Sequence, residues 1–177
     1  THTTGAGANR LMMISVGITT SSGSPTVSGI TVNGSNATLL RAQNSPSTNV
    51  REEVWYLVNP PSGSDTVTVT LTGTANITVG VETFTGAAQV APTGDQQNNA
   101  LTTSLSVSVT GVANGLVYDA IAVNGNNNHA NLAANAGQTV RFGPTNVSTT
   151  HEGAGSTKGG TGTVTLGWTW TNNHNSV

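Results

Sequence analysis

Hydrophobic and polar positions alternate with a period of two along most of this chain, the spacing of strands rather than helices. Leu11–Thr19 (LMMISVGIT) departs from that rhythm by being almost continuously apolar, which predicts a strand buried on both faces. Ile30–Val32 and Thr38–Ala42 flank Asn33-Gly34, two residues that tolerate positive φ and so mark a turn. Glu52–Val58 reads as a strand stopped by Asn59-Pro60-Pro61. Thr66–Leu71 places Val67, Val69 and Leu71 on one face, and Ile77–Phe84 does the same for Ile77, Val79 and Val81. In the second half, Leu101–Val109 alternates Leu105, Val107 and Val109 with Ser and Thr. Leu116–Val123 is apolar on both faces except at Asp119, and Thr139–Phe142 is short. Thr163–Trp170 sets Val164, Leu166, Trp168 and Trp170 against Thr163, Thr165, Gly167 and Thr169.

That makes about ten strands, separated by Gly, Pro, Asn and Ser clusters. Only Asn131–Ala136 tolerates a turn or two of helix. The class is all-β. Strands this short need a second sheet to cover their apolar faces, so residues 1–177 are expected to form a single antiparallel two-sheet β-sandwich, jelly-roll-like. Ser21–Pro25, Ala87–Ala100, Asn124–Asn128 and Thr149–Gly162 read as loops, and the last, glycine-rich around His151, Glu152 and Lys158, as the most mobile. One internal echo joins Val67–Val81 to Leu105–Asp119, each with T-G-x-A-N between two strands; it predicts two similar hairpins.

Composition narrows the function. Charged residues are 7% of the chain against about a quarter in ordinary domains, and Thr, Ser, Asn and Gly supply the polarity. Five basic and seven acidic residues leave a net charge of -2, so there is no basic surface for a nucleic acid. There is no cysteine, hence no disulfide, thiolate metal site or cysteine nucleophile. No apolar run approaches the ~20 residues of a spanning helix, so no membrane insertion is expected. A neutral, Thr-coated β surface suits a setting outside the cell and contact with copies of the same chain or with a large, uncharged surface.

Candidate chemistry is sparse. His2, His129, His151 and His174 all fall in polar stretches and read as solvated. Glycoside hydrolysis needs two carboxylates across a cleft. Glu52 and Glu53 are adjacent on a strand and so face opposite ways, while Glu82 and Asp119 could meet on an exposed face but read as solvent-facing acids. The run Asn124–His129 offers amide oxygens without a carboxylate, a poor calcium site. Lys158 is misplaced for a Lys–Asn crosslink. No catalytic residue, metal site or cofactor is expected. For a ligand, the best candidates are Trp55, Tyr56, Trp168 and Trp170. The last two lie about 7 Å apart on one strand face, a spacing that fits stacking on sugar rings. They share that face with Val164 and Leu166, so core packing competes with a polysaccharide partner.

The opening His2–Val16 (HTTGAGANRLMMISV), the hairpin Val27–Gly34, the block Glu53–Gly63 (EVWYLVNPPSG) and the Thr/Val strand Thr66–Leu71 together resemble a β-sandwich domain of secreted bacterial proteins and phage virion-associated proteins. Gly153–Thr157 and the closing V-T-L-G-W-T-W fit the same pattern, so the likeness covers almost the whole chain. The resemblance implies a non-catalytic structural or adhesive module, with a carbohydrate-binding module as the alternative. Its partners would be copies of itself or a neighbouring structural protein. It also implies flanking strands outside residues 1–177, whose absence would leave an edge open to a neighbour's strand.

Overall fold

The computed structural model describes residues 1–21, 23–125, 131–148 and 151–177, the side chains of 144–148 excepted. Among them there is no helix, and every strand pairing is antiparallel. A central sheet is ordered β5 (Thr38–Asn44), β6 (Val50–Val58), β2 (Leu11–Thr19), β9 (Asn76–Phe84). On one side of it lies a small sheet of β4 (Ser35–Asn36), β3 (Val27–Val32) and β8 (Val67–Leu71). On the other lies a larger sheet of β10 (Ala100–Gly111), β15 (Gly162–Ser176), β11 (Leu116–Val123), β14 (His151–Gly159) and β13 (Thr139–Ser148), with β12 (Ala133–Ala134) attached to β15. β1 (His2–Thr4) and β7 (Gly63–Asp65) form a two-stranded ribbon.

β2 organises these layers because it is flanked along its whole length by β6 and β9 and covered on both faces. Met12, Ile14, Val16 and Ile18 point into a core closed by Val27, Ile30, Val32 and Trp55. All four are essentially inaccessible, each contributing about 1.5–3 kcal/mol by burial. Met13, Ser15, Gly17 and Thr19 point the other way, at β11 and β14. There the layers meet through small residues. A Cβ on Gly17 would lie 3.0 Å from Ala122 Cβ, 3.1 Å from Glu52 Oε2 and 3.2 Å from His151 Cε1.

A second apolar core forms because β15 is kinked. Its register against β10 jumps from His174 to Thr169 while β10 advances only from Thr102 to Ser104, and Asn172 takes a φ of 63°. Ser176 then pairs with Val123 of β11, and Val177 exchanges backbone hydrogen bonds with Ala122. The other end of the β10–β15 ribbon packs on the outward side of β11 and β14, enclosing Ile121, Val123, Leu132, Ala154, Trp168 and Trp170.

The all-β antiparallel sandwich is as expected, but with fifteen strands among the described residues rather than ten, in four sheets rather than two. β1, β4, β7 and β12 are two or three residues long, too short for alternation to reveal. Asn131–Ala136 contains only β12. The larger correction is β14. The stretch read as the most mobile loop is a strand whose residues His151–Thr157 are all buried. Its alternate glycines serve close approach: Gly153 abuts Thr78, and Gly155 faces the Phe142 ring, which Gly80 touches from β9. The two T-G-x-A-N segments are not hairpin turns either, since β8 pairs with β3 and β9 with β2, and β10 with β15 and β11 with β14. Each carries the chain between strands that are not paired.

Gly80 and Gly155 leave Phe142 no room to retreat in either direction. Gly155→Ala is expected to destabilise the chain by about 1–3 kcal/mol, the usual cost of overpacking. Urea unfolding of the single variant and of Gly155→Ala with Phe142→Ala checks this. The penalty should be smaller on the Phe142→Ala background, and simple additivity of the two changes would show that the ring is not the obstacle.

Candidate functional site

The four aromatic candidates lie in three separate places. Trp55 faces the small sheet from β6, is 8% exposed, and donates its indole N–H to Glu53 Oε2 at 3.1 Å. Glu53 is itself buried, accepting from Arg51 Nε at 2.6 Å and from the Val27 N–H at 3.1 Å. The rim of Trp55 borders an open groove of about 440 Å³, lined also by Ser28, Gly29, Ile30, Thr31, Asn36, Ala37 and Thr70. Gly29 sits at a β-bulge of β3 and faces open space there. Tyr56 is half-buried on the opposite face of the central sheet. Trp168 and Trp170 are 2% and 6% exposed in the second core, their indole N–H groups donating to Asp119 Oδ2 and Thr102 O, each at 2.9 Å. They share one face, as alternation predicts, but the kink of β15 turns that face inward.

The acids expected at the surface, Glu82 and Asp119, are half-buried rather than solvent-facing. Alternation on β11 sends Tyr118 toward the central sheet and Asp119 away from it, so Glu82 and Asp119 lie on opposite sides of that strand. The Tyr118 hydroxyl is 3.2 Å from both Ser15 Oγ and Glu82 Oε2. Burial pushes the Glu82 carboxyl up to about 7, against smaller opposing effects of Tyr118 and Arg141. Burial likewise raises the Tyr118 hydroxyl well above its ordinary range, with the Glu82 charge adding to it. Glu52 and Glu53 do face opposite ways, as their adjacency requires. Glu52, buried beside Gly17, has one carboxyl oxygen without a hydrogen-bond partner among the described residues. Its carboxyl is held well above the usual range by burial first and the Glu53 charge second.

The three histidines among the described residues are not the solvated loop residues that their polar neighbours suggest. His151 is buried across Gly17 from Glu52, with neither ring nitrogen partnered, and burial lowers it to about 4. His174 is buried on β15. His2 Nε2 lies 2.9 Å from Thr83 Oγ1, and burial lowers its pKa. His129 lies outside the described residues, as does most of the Asn124–His129 run. Among the described residues no three His, Cys, Asp or Glu side chains converge where a metal ion could be held, and no helix is long and apolar enough to cross a membrane.

With the acids inside, the exposed charges are few. Of the charged side chains, only Asp95, Arg41 and Arg141 are exposed. The first two pair with each other, and Arg141 lies over the Phe84 ring at 5.8 Å while its Nε donates to Thr157 Oγ1.

The buried groups set opposing pH dependences. Glu82 binds its proton more tightly folded than unfolded, so its contribution to stability is present below pH 4.5 and lost as the pH rises through about 7. His151 binds its proton less tightly folded, so its contribution is present above pH 6.5 and lost as the pH falls toward about 4. Glu82→Gln is expected to flatten the decline in melting temperature between pH 4.5 and about 7. The gain at the upper end should be of order 1 kcal/mol once solvent screening of a half-buried carboxyl is discounted. An unchanged slope in the variant would assign that decline to other groups. No family model, curated protein or solved structure matches this chain.

Proposed function

We propose that this chain is a non-catalytic structural or adhesive β-sandwich module of an extracellular, cell-surface or virion setting, packed among copies of itself or against a neighbouring structural protein. The observation that carries this reading is the inward placement of the charges. Six of the seven carboxylates are buried or half-buried, and the outer surface carries hydroxyl, amide and backbone groups with scattered apolar side chains such as Val90, Leu101 and Val112. Such a surface has little long-range field either to steer a charged ligand or to hold copies apart. The candidate acids are drawn into the fold and lie on different faces of their strands, which suits a scaffold better than a hydrolase.

A second reading, a carbohydrate-binding module, is favoured by the groove beside Trp55. Its hydroxyl and amide lining from Ser28, Thr31, Asn36 and Thr70 is the neutral chemistry that meets a polysaccharide. That reading needs the exposed rim of Trp55 alone, since Trp168 and Trp170 are committed to the core.

Light scattering across a concentration series separates the two. A structural module should show a weight-average mass that climbs with concentration and barely responds to salt. A strict monomer at every concentration, retarded in gels by a neutral polysaccharide and released by Asn36→Ala with Thr70→Ala, would favour the groove instead.

A further inference from the structure

The outward side of β11 carries a constellation that the reading above does not use. Asp119 Oδ1 accepts hydrogen bonds from Ser156 Oγ at 2.5 Å and from the Ser156 N–H at 2.9 Å, and its Oδ2 accepts from Trp168 Nε1 at 2.9 Å. Ser156 is fully buried. The Gln138 carboxamide closes on the same hydroxyl: its Nε2 is 2.7 Å from Ser156 Oγ, and its Oε1 accepts the Gly167 N–H at 2.7 Å. The Gly167 bond settles which way round the amide sits, because an N–H can be met only by the oxygen. Ser156 Oγ is therefore placed between a carboxylate and an amide whose carbonyl carbon is one bond beyond Nε2.

Those parts make an acyl-transfer set: a hydroxyl nucleophile, a base within hydrogen-bond reach, an electrophilic carbon, and a backbone donor on the carbonyl oxygen. We propose that Ser156 and Gln138 join in an intramolecular ester, with loss of ammonia. Asp119 takes the hydroxyl proton as Ser156 Oγ adds to Gln138 Cδ. The carbonyl electron pair moves to Oε1, where the Gly167 N–H holds it. On collapse the Cδ–Nε2 bond breaks, and Asp119 returns the proton to the departing nitrogen, which leaves as ammonia. A side-chain alcohol and a primary amide become an ester and ammonia. Nothing is oxidised or reduced, and no co-reactant is needed.

Several features support this beyond proximity. Burial raises the Asp119 carboxyl above its ordinary range, against the opposing hydrogen bonds from Ser156 and Trp168, which makes it a stronger base than a solvated aspartate. Trp168 fixes the second oxygen, so that the first stays aimed at Ser156. The enclosed position of Ser156 keeps bulk water from the ester once formed. In a chain without cysteine, the bond would tie the start of β13 to β14 where a secreted domain more often uses a disulfide.

The intact mass of the folded, unsubstituted chain decides the matter. The expected value is one ammonia below the sequence mass, with the peptides containing Gln138 and Ser156 recovered joined and separated by hydroxylamine. Ser156→Ala and, independently, Gln138→Ala should each return to the full sequence mass, and Asp119→Asn should form the link far more slowly. Succinimide at Asn33, Asn114 or Asn124, each followed by glycine, also releases ammonia, but that loss would persist in Ser156→Ala. Such persistence without joined peptides overturns the proposal, as does a folded parent chain that keeps the full sequence mass after prolonged incubation.

Discussion

Covering β2 on both faces is the constraint from which the rest follows. A strand with no solvent side cannot use alternation to sort apolar from polar, so its two faces must meet two different interiors. Toward the small sheet the solution is apolar, with Met12, Ile14, Val16 and Ile18 in one core. Toward β11 and β14 it is close approach, with Gly17 against Ala122 and His151 and, on the neighbouring β9, Thr78 against Gly153. That thin interface also traps ionisable groups. Glu52, Glu82, Tyr118 and His151 sit in or beside it, and the low-dielectric setting pushes each toward its neutral form.

The parts of the fold written in side-chain periodicity were legible in the sequence. β2 and β11 run over the residues that the apolar pattern marks, and Asn33-Gly34 makes its turn with both φ values positive. Strand pairing was less legible, because it depends on residues far apart. The T-G-x-A-N echo looks like a repeated hairpin only while each strand is assumed to pair with the next. β14 was hidden for a different reason. A strand whose neighbours press on both faces needs small residues, and HEGAGSTKG looks like a loop by composition. Gly17, which it meets at His151, and Gly80, across the Phe142 ring, carry no apolar signal that could reveal the match. With β14 went His151 and Ser156, so the groups nearest to any chemistry were the hardest to see.

The candidate aromatics show the same division. Alternation placed Trp168 and Trp170 on one face, which the structure keeps. Whether that face meets solvent depends on the kink near Asn172 that folds the ribbon over β11 and β14, a long-range event that local spacing does not encode. Trp55 is distinguished less by its ring than by the Gly29 bulge, which leaves the groove open beside it.

The inward turn of the acids bears on how such strands find their partners. Thr/Val strands are nearly interchangeable, and a slip of one residue would exchange core and surface faces with little chemical objection from hydroxyls and methyls. Buried carboxylates remove that tolerance. Glu53 is satisfied only when Val27 N, Arg51 and Trp55 meet it together. Asp65 needs Thr4 Oγ1 at 2.6 Å and Asn33 Nδ2 at 2.7 Å, which joins the β1–β7 ribbon to the turn after β3. Asp119 needs Ser156 and Trp168 from two other strands. A slipped register would strand each of these groups in an apolar setting at a cost of several kcal/mol, more than a single Thr/Val exchange could offset. Charge withdrawn from the surface thus specifies one register among many similar ones, and the neutral exterior and the polar interior become two results of the same placement.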